Sequence, residues 1–141
     1  MTDSNSPKPL ILLADDDAEI RSLVRYSIED LDCTIIEAED GEQALEMLLV
    51  DRPTLVVLDV MMPGLTGWEI CKYIRAREGY DDILILMLTA VGEEVNELTA
   101  PLYGADHHLD KPFDMDEMKR VVIDLLSKRK SDKGRHSGSS T

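Results

Sequence analysis

Asp59 closes an unbroken apolar run, Leu55 to Leu58, and the chain continues through Pro63-Gly64 to Gly67. A second such run, Leu10 to Ala14, ends in Asp15, Asp16 and Asp17, and a third, Ile83 to Leu88, ends in Thr89. A shorter segment, His107 to Leu109, leads into Asp110, Lys111, Pro112 and Phe113. Carboxylates brought together repel one another, and a divalent cation is the natural remedy. An all-oxygen ligand set suits magnesium, which keeps several waters and takes few protein carboxylates. Thr89 offers a hydroxyl donor, and Lys111 a mobile point charge suited to a phosphoryl oxygen. Cation, lysine and hydroxyl around one carboxylate are the electrostatic components of phosphoryl transfer. Each residue has a plainer reading too. Asp59 can start a turn, Asp15 and Asp16 can cap a helix, Thr89 can end a strand, and Lys111 can be a solvated lysine. The chemistry requires that they share one edge of the fold.

The elements predict that edge. Leu10–Ala14, Leu55–Leu58 and Ile83–Leu88 are short, Val/Leu/Ile-rich and apolar throughout, as strands buried on both faces of a parallel sheet are. Residues 33–38 (CTIIEA) and 107–109 read as two further strands. Between them lie helical patterns. Ile20, Leu23, Val24, Ile28 and Leu31 make one apolar face after Asp17, which reads as a cap. Asp40 with Gln43 opens a helix carrying Ala44, Leu45, Leu48 and Leu49 inside. Thr66 with Glu69 opens one carrying Ile70, Tyr73 and Ile74, and Asp114 with Glu117 opens the last, whose inner face is Met118, Val121, Val122, Leu125 and Leu126. Residues 93–103 read as a weaker, acidic helix interrupted by Pro101. Five strands alternating with five helices predict an α/β domain, a parallel sheet covered on both sides. In such a sheet all carboxyl ends share one edge.

Composition limits the rest. At 141 residues with 43% hydrophobic and 31% charged, the chain suits one globular domain over residues 9–128. Residues 1–8 read as a mobile lead-in, and 129–141 as a disordered polar, basic tail or linker stub. A net charge of −14 argues against nucleic acid or an anionic membrane as direct partner. No run approaches the roughly 20 apolar residues of a membrane span, and the polar start lacks signal-peptide order, so the expected location is cytoplasmic. Cys33 and Cys71 are too few for a disulfide framework or zinc site and read as small, buried, reduced residues. His107-His108 resembles a metal pair but has no third ligand nearby.

LILLADDD, LVVLDVMMPGLTG, MLTA and GADHHLDKPF, in that order and at these spacings, resemble a response-regulator receiver domain of two-component signalling. The resemblance covers residues 8–128. It implies a flavodoxin-like (βα)5 fold with strand order 2-1-3-4-5. It also implies that Asp59 accepts a phosphoryl group from a sensor histidine kinase or histidine phosphotransfer protein. By the same resemblance Asp15, Asp16 and Asp59 hold magnesium or manganese, with Asp16 closer than Asp15 and the Met61 backbone carbonyl completing the protein's share. Thr89 and Lys111 contact the phosphoryl oxygens, and Lys111-Pro112 is a cis peptide, which costs little before Pro. Such a protein is not an enzyme beyond its own phosphorylation and dephosphorylation. It signals through changed contacts with a downstream protein, as a monomer or a phosphorylation-dependent dimer.

Three positions depart from that pattern. The switch residue paired with Thr89, an aromatic in the family, is His108, which predicts a weaker or pH-sensitive switch. Pro101 predicts a short or kinked fourth helix. Met61 and Val91 carry no group to orient an attacking water, which predicts a slowly hydrolysing phosphoryl aspartate. Other classes fit less well. A haloacid-dehalogenase-type phosphatase needs a second carboxylate where Met61 stands, and a flavin carrier would not place three aspartates where a phosphate binds. A receiver-fold docking adaptor working without phosphorylation is the alternative function. With no recognisable output segment after residue 128, the expectation is a stand-alone receiver.

Overall fold

The computed structural model describes residues 8–90 and 104–139, with side chains to residue 128. Five parallel strands form one sheet: β1 (Leu10–Ala14), β2 (Thr34–Ala38), β3 (Leu55–Asp59), β4 (Leu84–Thr89) and β5 (His107–Asp110). Their order is β2-β1-β3-β4-β5, as the resemblance implied. Four helices are described, α1 (Ala18–Ile28), α2 (Gly41–Asp51), α3 (Gly67–Ala76) and α4 (Met115–Ser139). The helix expected over 93–103, with Pro101, and the position of Val91 lie outside the described residues.

Strand side chains alternate between faces, so an all-apolar strand must be covered twice. Val56 and Leu58 of β3 join Ala44 and Leu48 of α2 and Ile70 and Ile74 of α3 in one core. Leu55 and Val57 join Val24 and Ile28 of α1 and Met118, Val122 and Leu125 of α4 in the other. The sheet is thus doubly wound, and β3, whose residues are all buried, is its centre. β2 lies at the sheet's edge and is only partly buried over Ile35, Ile36 and Glu37.

Capping follows the sequence. Asp17 accepts from the Glu19 N–H (2.9 Å), Asp40 from the Gln43 N–H (2.8 Å) and Asp114 from the Glu117 N–H (2.7 Å). Thr66 and Glu69 exchange both bonds of a capping box. Three details differ from expectation. Leu49 is exposed rather than inside, because the α2 face through Ala44 and Leu48 already fills the space against the sheet. Cys33 is only half-buried, at the margin of the edge strand, while Cys71 is fully buried. Finally, α4 continues to Ser139 where the sequence suggested a disordered tail from 129. Lys and Arg are good helix formers, and cations near a helix C-terminus favour its continuation.

Candidate functional site

The strand order reverses between β1 and β3, and open α/β sheets bind their ligands at such a switch point, beyond the carboxyl ends of the strands. Asp15 follows β1 directly and Asp59 is the last residue of β3. Both are buried, at 2% and 5% exposure, whereas Asp16 is exposed at the mouth. One oxygen from each of Asp15, Asp16 and Asp59 lies within 4.8 Å of the others. Lys111, delivered by the turn after β5, reaches across the edge. Its Nζ donates to Asp15 Oδ2 at 3.0 Å and to Asp59 Oδ1 at 3.2 Å. The Lys111-Pro112 peptide is cis. The carboxylates and the lysine read from sequence therefore meet in one place.

The electrostatics follow from crowding and burial. Burial, reinforced by the neighbouring Asp15 charge, pushes the Asp59 pKa up to about 6 despite Lys111 beside it. Burial also raises Asp15, opposed by the hydrogen bond from the Asp17 N–H and by Lys111. For Lys111, burial disfavours the charge, yet Asp15 and Asp59 together hold its pKa above the ordinary value. Three oxygen donors in excess of one lysine fit a small hard cation, which would relieve the repulsion that Lys111 relieves in part.

Supporting contacts come from α1 and from the loop that leads into α3. Arg21 of α1 donates from Nη1 to the Asp15 backbone carbonyl (2.6 Å) and from Nε to Glu37 Oε1 of β2 (2.9 Å). Arg25 donates to the other oxygen of Glu37 (2.7 Å). A sequence shows these charges but not that α1 and β2 bring them together. Gly67, the first residue of α3, donates its N–H to the Val60 carbonyl at 2.9 Å. A Cβ there would sit 2.5 Å from the Asp59 carbonyl oxygen, so the loop can close against the end of β3 only with glycine.

Thr89 is buried at the end of β4, and its hydroxyl donates to Asp110 Oδ1 at 2.7 Å. In sequence Asp110 is only the residue before Lys111. His108 is half-buried on β5, in register with Met87. His107 Nδ1 lies 2.9 Å from the His108 carbonyl, and no metal-ligand cluster includes either histidine among the described residues. Met61 is exposed in the loop after Asp59.

Comparison with known proteins agrees with this geometry. The family model for the response regulator receiver domain matches residues 11–123. This chain is a response-regulator receiver domain. It is 44% identical over 123 residues to the response regulator MprA of Mycobacterium ulcerans, covering 85% of this chain and 51% of that protein. It is 38% identical over 119 residues to the probable transcriptional regulator ycf27 of Cyanophora paradoxa, covering 84% and 48%. The chain thus spans about half the length of these relatives. Among solved structures, the chemotaxis response regulator CheY4 of Vibrio cholerae superposes with a TM-score of 0.76 at 29% identity, over 84% of this chain and 98% of that one. The receiver belongs to a two-component system, and no described helix is long and apolar enough to cross a membrane.

Proposed function

We propose that Asp59 is the phosphoacceptor of this receiver. An Asp59 carboxylate oxygen attacks the phosphorus of a phosphohistidine on a sensor kinase or phosphotransfer protein. The new O–P bond replaces the P–N bond, and the departing imidazole takes a proton. The observation that carries this reading is the buried Asp59 with Asp15, Asp16 and the Lys111 ammonium all directed to one edge. Asp15, Asp16, Asp59 and the Met61 carbonyl would hold Mg2+ or Mn2+. When bound, the cation offsets negative charge on the transferring phosphoryl group. Lys111 contributes a second positive charge and is already within hydrogen-bond reach of the acceptor carboxylate. Thr89 is the hydroxyl that engages a phosphoryl oxygen once Asp59 is modified, and His108 takes the paired switch position.

The output is a change in protein contacts, with a downstream protein or a second copy. Relatives named as transcriptional regulators support an output joined to the receiver, beyond the half of their length that this chain spans. Catalysis is confined to the domain's own phosphorylation and dephosphorylation, and the cytoplasm is the compartment proposed.

Intact mass after incubation with magnesium and acetyl phosphate tests the reading. The expected result is a gain of one phosphoryl group, absent without magnesium and absent in Asp59→Asn. No gain in the native chain would instead support docking without phosphorylation.

A further inference from the structure

The Thr89 hydroxyl is 1% exposed at the level of the residue and has one hydrogen to give. It gives it to Asp110 Oδ1 at 2.7 Å, while the Leu109 carbonyl, at 3.4 Å, stands at the limit of hydrogen bonding. A carboxylate is a stronger acceptor than a neutral carbonyl, so the shorter bond is also the stronger. The backbone fixes this arrangement. Thr89 and Asp110 are register partners of β4 and β5, and the Lys111 N–H donates to the Thr89 carbonyl at 2.6 Å. Asp110 itself faces solvent, so its carboxylate stays hydrated on one side while its other side holds the buried hydroxyl.

A single hydroxyl hydrogen cannot serve Asp110 and a phosphoryl oxygen at once. A buried hydroxyl that leaves one acceptor must find another, since going without costs more than a typical bond contributes. We propose that Asp110 is a positioning residue: it holds the Thr89 hydroxyl in the unphosphorylated protein and competes with the phosphoryl group for it. This rests on the reading of Asp59 as phosphoacceptor and Thr89 as its phosphoryl contact. Asp110 thereby sets how much phosphodonor is needed to switch the domain, and it does so without touching the reacting atoms.

The test compares the native chain with Asp110→Ala and Asp110→Asn, because Asn keeps an oxygen acceptor and removes the charge. Three-bond couplings to the Thr89 methyl carbon, measured in the unphosphorylated protein, report its rotamer. One rotamer is expected for the native chain and for Asp110→Asn, and a mixture for Asp110→Ala. A single unchanged rotamer in Asp110→Ala overturns the proposal. The second readout is the beryllofluoride concentration, with magnesium, that half-saturates the site as an acyl-phosphate mimic. Asp110→Ala should need about tenfold less, the equivalent of about 1.4 kcal/mol, with Asp110→Asn between that and the native chain because its neutral amide oxygen is a weaker acceptor than the carboxylate. Equal shifts in both variants would mean that charge, not the hydrogen bond, is responsible, and would overturn it. A native chain that gains no phosphoryl group overturns the reading of Asp59. A native chain that gains one while Asp110→Ala leaves both readouts unchanged overturns only the role of Asp110.

Discussion

Asp59→Asn should stabilise the metal-free protein at neutral pH, and the structure gives the size. In the folded chain burial and Asp15 raise the Asp59 pKa from 3.8 to about 6. A rise of roughly two units corresponds to about 3 kcal/mol of disfavoured ionisation. The sign follows from linkage. A carboxyl whose folded pKa is raised contributes stability that is fully present below pH 3.8, lost as pH rises toward 6, and absent above that. The neutral amide has no such loss. Lys111 keeps Asp15 at 3.0 Å but loses its second carboxylate, which takes back part of the gain. A net gain of about 2 kcal/mol, or roughly 7 °C in midpoint for a chain of this size, is expected.

Thermal unfolding in chelator from pH 4 to 8 provides the assay. The two proteins should melt together near pH 4, separate between 4 and 6, and keep a constant gap above. Magnesium should then close the gap, because a cation at 100 times its dissociation constant adds about 2.7 kcal/mol to the native chain and less to the variant that has lost a ligand. A variant that melts at or below the native temperature at pH 7.5 would refute the reasoning, as would a gap that does not change with pH.

Arg21→Ala should weaken magnesium binding severalfold by isothermal titration calorimetry, because the Asp15 carbonyl loses its clamp; unchanged affinity would assign Arg21 to stability alone. Burial favours a higher pKa for Glu37, but hydrogen bonds from Arg25 and Arg21 outweigh it and hold the pKa below its ordinary value. Its ion pairs therefore stabilise above pH 4.5 and are lost as acid protonates the folded chain. Glu37→Gln should cost about 1 kcal/mol at pH 7 and nothing at low pH by urea titration. Gly67→Ala should cost about 1–3 kcal/mol through overpacking against the Asp59 carbonyl and slow phosphorylation by acetyl phosphate. Met61→Asn should shorten the phosphoryl half-life, measured as loss of the added mass, if an exposed apolar side chain there leaves the attacking water unoriented.

The parts that were legible in sequence share one property: a short-range signal with a single structural solution. Runs such as Leu55–Leu58 and Leu84–Leu88 have no polar side and so must be central strands, and a parallel sheet then sends their terminal residues to one edge. The residues that end such runs, Asp15, Asp59 and Thr89, are thereby carried to that edge. The edge strand β2 carries a fainter signal, and periodicity puts Leu49 on the inner face of α2 although it is exposed, because it marks a helix face without saying how wide the covered stripe is. What stayed hidden depends on register. Arg21 could pair with many carboxylates of this acidic chain, and only the packing of α1 beside β2 selects Glu37 and leaves a second guanidinium nitrogen for the Asp15 carbonyl. Asp110 shows the same limit from the other side. In sequence it is only the neighbour of Lys111, yet strand pairing sets it opposite Thr89. The Thr89 hydroxyl, held at 2.7 Å, is the only described side chain that Asp110 engages, so its place in the fold is set by strand register and not by its neighbour in sequence.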